Sequence, residues 1–304
     1  MKHLTKSAYQ KAISYIKNHA RPLEKARYAF YFEDGAVADV LSALADFQNA
    51  DGGFGHGLEC DLRLADSSVI ATTVAFQCFT EFKIPGDHPR VVNACQYLMA
   101  TYDAAHANWP IIPPNISDAP HAPWWAYRDD RIDNLVNPRA EIVGYLNAYP
   151  EHFPATLREQ LTQAVVDYLF EQPDELEMHD LYCYLRLWQS NSLPSDVSAR
   201  MGTKLNRIVD KTVDRSRDNW QGYSLNPLAV APGPDSPFAE RFREEIDQNL
   251  DYIIETQSED GAWLPNWSWG EQWPDAWAQA QREWGGINTL GNLRTLQSFG
   301  RIDT

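Results

Sequence analysis

The loop over residues 54–68 holds the densest group of side chains that could do acid–base chemistry. It carries His56, Glu59, Asp61 and Asp66 and runs straight into an apolar, helical stretch. Carboxyl groups in different environments take different pKa values, so that one can act as acid while its neighbour acts as base. Glu59 and Asp61 point the same way in an extended loop, and we expect all four side chains to converge on a sugar hydroxyl, a leaving group or a metal. They are the predicted catalytic residues, with Asp66 as general acid or base.

The same loop also has a structural interpretation. Asp66 stands where the N-cap of the next helix is expected, with Ser67 and Ser68 in its first turn, and Asp is a favoured N-cap residue. Acidic side chains are mostly solvated at protein surfaces, and Arg63 would neutralise one of the others. The sequence leaves both interpretations open.

Aromatic side chains are unusually frequent in the long loops. The chain has 11 Trp residues, and aromatic rings suit stacking on sugars or enclosing carbocations and polyenes. His121 lies between two prolines on a stiff, extended backbone and precedes two adjacent Trp residues. The alternative for this segment is a lid that only packs on the fold. The alternative for Glu141 is a structural role as an acid in the first turn of a helix, where the helix dipole favours it. The predicted substrate-binding residues are His121, Trp124, Trp125, Trp267, Trp269, Trp273, Trp284 and Glu141.

Helical periodicity dominates the chain, and we find no convincing alternation of the kind typical of strands. Eleven helices are predicted, the last long enough to be broken at Gly285 and Gly286. Eleven or twelve helices of alternating direction fit an all-α fold of the (α/α)6 toroid type. Since no linker or shift in composition divides the chain, we predict one domain over residues 1–304. The predicted helices span 5–19, 23–32, 36–48, 66–83, 88–103, 136–149, 154–171, 175–189, 196–214, 236–256 and 277–298.

Two turns share one pattern. Residues 48–54 read Gln-Asn-Ala-Asp-Gly-Gly-Phe, and residues 257–263 read Gln-Ser-Glu-Asp-Gly-Ala-Trp. Each follows an apolar helical stretch. A helix that ends in Gln, turns at Asp-Gly and lays an aromatic ring back on the helix end is a closing device, repeated in structures built of stacked helical hairpins. The pattern therefore predicts the architecture of the fold and leaves the reaction and the substrate open.

These turns resemble the QW-type repeat of squalene-hopene cyclases, other terpenoid cyclases and protein prenyltransferase beta subunits. The resemblance implies a ring of paired helices and a substrate of the isoprenoid type. In class II terpenoid cyclases the general acid is the middle Asp of a D-x-D-D-T-A motif at a helix start, and only Asp66 matches that motif here. Prenyltransferase beta subunits need a partner subunit and bind zinc through Asp, Cys and His. The segment from His179 to Cys183 lacks their Asp-x-Cys spacing.

One further pattern concerns metals. Asp129, Asp130 and Asp133 spell the D-D-x-x-D pattern that holds magnesium and diphosphate in class I isoprenoid synthases. Those enzymes place it on a long apolar helix, whereas here it follows a Trp-Trp loop, so we interpret it as a solvated acidic turn. The 4 Cys residues show no zinc-binding spacing and are expected to be buried free thiols. No metal and no cofactor are therefore predicted, with Mg²⁺ at the acidic turn as the alternative.

Composition narrows the class of partner. The net charge of −16 disfavours nucleic acids and anionic membrane surfaces, because phosphate binding needs clustered Lys and Arg. No apolar run has the length of a membrane span or the character of a signal peptide, so a cytoplasmic protein is expected. The expected partner is a small-molecule substrate, and a second copy of the chain or a missing subunit is a further possibility.

Three functions follow as hypotheses. The first is a cytoplasmic enzyme with an aromatic-lined pocket, in which Asp66 does acid–base chemistry on an isoprenoid-type or related substrate. The second is an (α/α)6 carbohydrate-active enzyme, a glycoside hydrolase or lyase, that uses Asp66, Glu59 and Asp61; the separation of its carboxyl groups would decide between retention and inversion. The third is a non-catalytic ligand-binding or scaffold protein, since one fold hosts many functions.

Overall fold

The structure of the protein is a computed structural model that describes residues 1–303, apart from the side chains of residues 131 and 133. Over the described residues all regular structure is helical, with twelve α-helices, five short 3₁₀ helices and no strands. The prediction of an all-helical chain is thereby confirmed, while a toroidal arrangement stays a prediction. The α-helices are α1 Lys6–His19, α2 Pro22–Phe32, α3 Val37–Ala45, α4 Val69–Glu81, α5 Pro89–Thr101, α6 Arg139–Ala148, α7 Ala155–Glu171, α8 Met178–Gln189, α9 Ser195–Thr212, α10 Pro227–Val230, α11 Arg243–Glu255 and α12 Pro274–Ser298.

Each of the eleven predicted helices has a counterpart, and the one that the sequence missed is the single-turn α10. The largest difference lies at α11, which begins at Arg243 rather than at residue 236. The intervening residues form consecutive turns, closed by bonds from Ala239 N to Ser236 O (3.0 Å) and from Phe242 N to Phe238 O (3.3 Å). Isolated turns of this kind repeat the local spacing of a helix without continuing it.

Helix α12 runs unbroken through the Gly pair at which the sequence allowed a break. A Cβ atom at Gly286 would lie 2.7 Å from the Cβ of Ala20, and one at Gly285 would lie 3.1 Å from Leu264 and overlap the Tyr15 hydroxyl. The two glycines therefore serve close packing of α12 against the C-terminal part of α1. The atoms that approach these two glycines belong to Tyr15, Ala20 and Leu264 of the protein itself.

The N-cap of α4 is Ser68, so the prediction that Asp66 caps this helix is wrong. The Ser68 hydroxyl accepts a hydrogen bond from Ala71 N at 3.1 Å. Ser68 N in turn donates to Phe54 O at 2.9 Å, and this bond holds Ser68 in the extended conformation that an N-cap requires. Asp66 lies two residues earlier and is exposed.

Contacts along the chain divide it into two compact units. Unit 1 comprises Met1–Leu44 and Val213–Thr304, and unit 2 comprises Ala45–Thr212. Unit 1 thus joins the two ends of the chain, whereas unit 2 is continuous in sequence. Within unit 1, α12 packs against α1 and α2, and Leu4 N donates to Arg301 O at 2.8 Å.

The core of unit 2 forms around α4, α6 and α8. In α6 every residue from Arg139 to Leu146 is buried, and eight residues of α4 are buried as well. A helix that is buried on all sides belongs to the interior of a fold. Among the described residues, no helix has the length and apolar character needed to cross a bilayer.

Both Gln-led turns form the closing device that the sequence predicts. In unit 2, Gln48 Nε2 donates to Gly52 O at 3.0 Å and to Arg90 O, in the first turn of α5, at 3.1 Å. Phe54 N donates to the hydroxyl of Thr72 in α4 at 3.0 Å. The turn therefore ties the end of one helical stretch to the two helices that follow it.

The turn in unit 1 makes the same hydrogen bonds to its neighbouring helices. Gln257 Nε2 donates to Gly261 O at 2.9 Å and to Ala8 O, in the first turn of α1, at 3.0 Å. Trp263 N donates to the hydroxyl of Thr289 in α12 at 3.2 Å, and its indole N–H donates to Ile253 O of α11 at 2.8 Å. In unit 1, α1 accordingly has the place beside α12 that α5 has beside α4 in unit 2.

Candidate functional site

Unit 1 contains a large cleft with a volume of about 1190 Å³. Its walls come from α2, α10, α11 and α12 and from the loops around Trp220 and Trp267. Ligand sites commonly enclose roughly 300 to 1,000 Å³, so this cleft offers room for an extended ligand. The aromatic residues that line it are Tyr31, Trp220, Tyr252, Trp263 and Trp267, and the amide residues are Gln221, Asn226, Asn249, Asn266, Asn288, Asn292 and Gln297.

Asn249 of α11 is the most informative of these amides. Its side chain is fully buried, at 0% exposure. Asn249 Oδ1 accepts a hydrogen bond from Leu228 N at 3.1 Å, which fixes the orientation of the amide group. Its Nδ2 atom is buried and has no hydrogen-bond acceptor in the described part of the chain. Leaving a buried donor unsatisfied costs about 1–3 kcal/mol. Because this atom is shielded from solvent, an acceptor in the cleft reaches the N–H group once the wall around it shifts.

The aromatic rings of the cleft are held rigidly. Trp267 meets Trp284 edge to face, with centroids 5.1 Å apart, and meets Tyr223 in the same way at 5.6 Å. The indole N–H of Trp220 donates to Asp214 O at 2.8 Å, and its ring meets Tyr252 at 5.8 Å. Because their neighbours fix these rings, a ligand that stacks on them does not have to order them first.

Charged groups are scarce in the cleft. Among its described lining residues, Asp235 is the one carboxylate and Arg294 the one cation. The guanidinium of Arg294 lies 3.8 Å from the centroid of the Tyr31 ring, a cation–π contact. Glycoside hydrolysis commonly uses two carboxyl groups that flank the scissile bond. The described lining supplies one.

A smaller depression of about 560 Å³ shares part of its lining with the cleft and carries Glu255. Glu255 accepts from Lys2 Nζ at 2.7 Å and also pairs with Arg217. The hydrogen bond from Lys2 is the largest cause that lowers the pKa of Glu255, and Arg217 lowers it further. This carboxylate is therefore ionised and engaged with protein cations.

Of the four predicted Trp residues in the C-terminal part, Trp267 lines the cleft and Trp284 supports it. Trp269 is 1% exposed and packs on Trp277 with centroids 5.7 Å apart. Trp273 is the N-cap of α12, has a positive φ of 51°, and is 45% exposed. Neither Trp269 nor Trp273 belongs to the described lining of the cleft.

The side chains of His56, Asp66 and Glu59 each bond to a different partner. His56 Nε2 lies 2.9 Å from Asn49 Oδ1, and Asp66 accepts from Asn115 Nδ2 at 2.7 Å. Glu59 accepts from the backbone N–H of Asp61 at 2.5 Å, and Asp61 is 3% exposed. In the described part of the chain, no three His, Cys, Asp or Glu side chains are grouped so that they could hold a metal ion. Of the D-D-x-x-D acids, the side chain of Asp133 lies outside the described residues.

The segment around His121 packs on that acidic loop. Ala122 N donates to Asp61 O at 2.8 Å, and Arg63 N donates to Pro120 O at 2.9 Å. His121 Nδ1 lies 2.8 Å from Ala119 O. Trp125 packs against an apolar cluster that includes Leu62 and Ile116, while Trp124 is 40% exposed. These contacts hold the segment against the acidic loop, and its role in binding a substrate stays a prediction.

Glu141 lies in a buried polar cluster between α4, α6 and α8. Its carboxylate, 2% exposed, accepts from Arg186 Nη1 at 2.6 Å, Tyr145 Oη at 3.1 Å and Gln77 Nε2 at 3.2 Å. The Cys183 thiol donates to it at 3.7 Å. Burial, together with the charge of Glu141, raises the pKa of both Tyr145 and Cys183. Cys183 is therefore a protonated thiol near neutral pH and not a nucleophile.

The pKa of Asp180, in the first turn of α8, rises from 3.8 to about 6, because burial disfavours its charged form and Glu177 repels it, while His179 acts in the opposite direction. An acid with a raised pKa stays protonated in the folded state at pH values where the unfolded chain has lost the proton. The contribution of Asp180 to stability therefore falls as the pH rises from about 4 to 6.

We expect Asp180→Asn to remove that loss. The variant should be more stable than the wild type at about pH 7.5, by about 1 kcal/mol after allowance for partial solvation, and should match it near pH 4. Thermal melts across this range measure the effect. Asp196→Asn, which changes an exposed first-turn Asp of α9, is the control and should leave the pH profile unaltered. A difference between Asp180→Asn and the wild type that does not grow from pH 4 to pH 7.5 would contradict the expectation.

One residue of the cleft could have been found from the sequence, although our interpretation missed it. Asn249 falls on the apolar stripe of α11, three residues after Ile246 and four before Ile253, both of which are buried. A polar residue at such a position must find a partner inside the protein or in a ligand. Tyr31 and Arg294 carry no comparable signal, because they are far apart in the chain and meet only in the folded unit.

No protein-family model matches the chain. No curated protein matches it either. Function is therefore inferred from the geometry of the cleft.

Proposed function

We propose that the cleft of unit 1 binds a neutral, polyhydroxylated ligand of the oligosaccharide class. The observation that carries this proposal is the buried N–H group of Asn249, which has no acceptor among the described residues and lies in a wall that also contains aromatic rings and further amides. Sugar hydroxyls accept from amide donors and donate to amide oxygens, and the apolar faces of sugar rings stack on aromatic side chains.

The number of amide side chains favours this class of ligand over a hydrocarbon. Seven Asn and Gln side chains line the described cleft. A polyprenyl chain would displace the water bound to these amides and offer them no hydrogen bonds in exchange. Each amide that is buried in this way would lower the free energy of binding that the ligand can gain. An isoprenoid substrate, which the resemblance implies, is therefore the competing proposal, and the same experiment distinguishes the two.

Trp267→Ala is expected to weaken oligosaccharide binding about tenfold, since aromatic stacking contributes about 0.5–1.5 kcal/mol beyond area burial. Asn249→Asp keeps the acceptor for Leu228 N and replaces the free donor by a carboxylate oxygen, and should weaken binding at least as much. Calorimetric titration of the full chain with short cello-, malto-, xylo- and chito-oligosaccharides, and separately with polyprenols in detergent, measures both effects.

The matched control is Tyr127→Ala, which removes an aromatic residue that is 40% exposed in unit 2. It should bind the oligosaccharide as the wild type does. Binding of polyprenols alone would support the isoprenoid proposal instead. Oligosaccharide binding that survives both cleft substitutions would place the ligand elsewhere and overturn the assignment of the cleft.

A further inference from the structure

Among the side chains that the structure describes, Arg139 in unit 2 is a buried cation without an ion-pair partner. Its side chain is 4% exposed, its Nε atom is buried without a hydrogen bond, and no ion pair involves it among the described residues. The other buried cations are all paired: Arg21 with Glu24 at 2.8 Å, Lys204 with Asp174 at 2.8 Å, and Arg301 with Asp247 at 3.1 Å. Arg139 therefore differs from these three buried cations, each of which has an ion-pair partner.

The side chains that interact electrostatically with Arg139 are two tyrosines, Tyr102 and Tyr184. Burial raises the pKa of both, so their hydroxyl groups stay neutral. Burial lowers the pKa of Arg139 itself, but a guanidinium is not deprotonated in proteins. An unpaired charge that is taken out of water carries a large desolvation cost. A bound anion would offset that cost.

The position of Arg139 favours an anion further. It is the first residue of α6, and the preceding Pro138 gives this helix no side-chain cap. Side chains of a helix tilt toward its N-terminus, where the backbone N–H groups and the positive end of the helix dipole attract negative charge. The Tyr102 hydroxyl, which makes no hydrogen bond in the described chain, is a further donor close by. The Tyr184 hydroxyl already donates to Val165 O at 3.3 Å.

We propose that Arg139, the N-terminus of α6 and the Tyr102 hydroxyl form a binding site for a small oxyanion, the phosphate or carboxylate group of a ligand. The guanidinium donates a pair of parallel hydrogen bonds to two oxygens of such a group. This site belongs to unit 2 and is independent of the cleft proposed to bind oligosaccharides in unit 1.

The test compares the melting temperature of the full chain in sodium phosphate, sodium acetate and sodium chloride at equal ionic strength and pH. In the wild type, the preferred oxyanion should raise the melting temperature by about 3 °C over chloride at roughly ten times its dissociation constant. Arg139→Met should abolish this rise. In chloride it should melt at or above the wild-type temperature, because it removes an unpaired buried charge.

Arg128→Met is the matched control, since it removes an exposed guanidinium of the same unit that pairs with Asp130. It should keep the full oxyanion effect. Equal wild-type melting temperatures in all three salts would overturn the proposal, as would an oxyanion effect that persists in Arg139→Met. A lower melting temperature of Arg139→Met in chloride, without any oxyanion effect in the wild type, would show that Arg139 has a structural role only.

Discussion

Replacing Gly261 by alanine is expected to destabilise the protein by about 3 kcal/mol, the sum of two independent costs. Gly261 has a φ of +94°, a conformation that L-residues adopt at a cost of about 1–2 kcal/mol. A Cβ atom there would also overlap the backbone of α1 at Lys11 and lie 2.6 Å from Ala12 N. Backbone atoms of a helix cannot move aside locally, so about 1–3 kcal/mol of overpacking is added.

Gly52→Ala should behave in the same way in unit 2, because Gly52 has a φ of +90° and faces the backbone of Asn93 in α5. Gly270→Ala is the control that separates the two costs. Its φ is also positive, at 67°, but nothing lies within 4 Å of the added Cβ. Urea denaturation measures all three variants. If Gly261→Ala lost no more stability than Gly270→Ala, the close approach of the turn to the helix would not contribute to the free energy of unfolding.

Glu141→Ala is the second substitution with a large expected effect, again about 3 kcal/mol. Removing one partner of a buried ion pair typically costs about 3–5 kcal/mol, because the remaining charge is left uncompensated. The lower end applies here, since the Arg186 side chain is 39% exposed and recovers some hydration. The substitution also takes the acceptor away from Tyr145 and Gln77.

Two further variants test the cause of that loss. Replacing Glu141 by Leu and Arg186 by Met together removes both charges, and should restore most of the stability that Glu141→Ala loses. Glu159→Ala changes an exposed residue of α7 and should alter the free energy of unfolding by less than about 0.5 kcal/mol. A double variant no more stable than Glu141→Ala would show that the cluster acts through its shape or its other hydrogen bonds instead of its charges.

Local patterns predicted the helices and the two turns well because their causes are local. The spacing of apolar residues marks a helix, and the sequence Gln-x-x-Asp-Gly forms the same hydrogen bonds wherever a neighbouring helix offers a carbonyl, as Arg90 and Ala8 do. The N-cap of α4 was mistaken because a distant bond, from Ser68 N to Phe54 O, decided between neighbouring cap residues.

The candidate site was harder to predict, because its residues come from separate parts of the chain. The acidic loop offered several carboxylates in a short stretch, but Asn49 and Asn115 bind two of its side chains separately. The cleft in turn joins Tyr31 of α2 with Arg294 of α12 and Asn249 of α11. Such a combination follows from helix packing in unit 1, which no short motif encodes.

The discontinuity of unit 1 affects the order in which the chain can fold during synthesis. Unit 2 is complete once residue 212 has left the ribosome, so all of its helices can pack at that stage. Helix α1 can pack on α2 early, but its contacts with α12 form only once the chain has been made as far as Ser298. Until then the residues that face α12, such as Tyr15, are open to solvent and are a natural binding site for a chaperone.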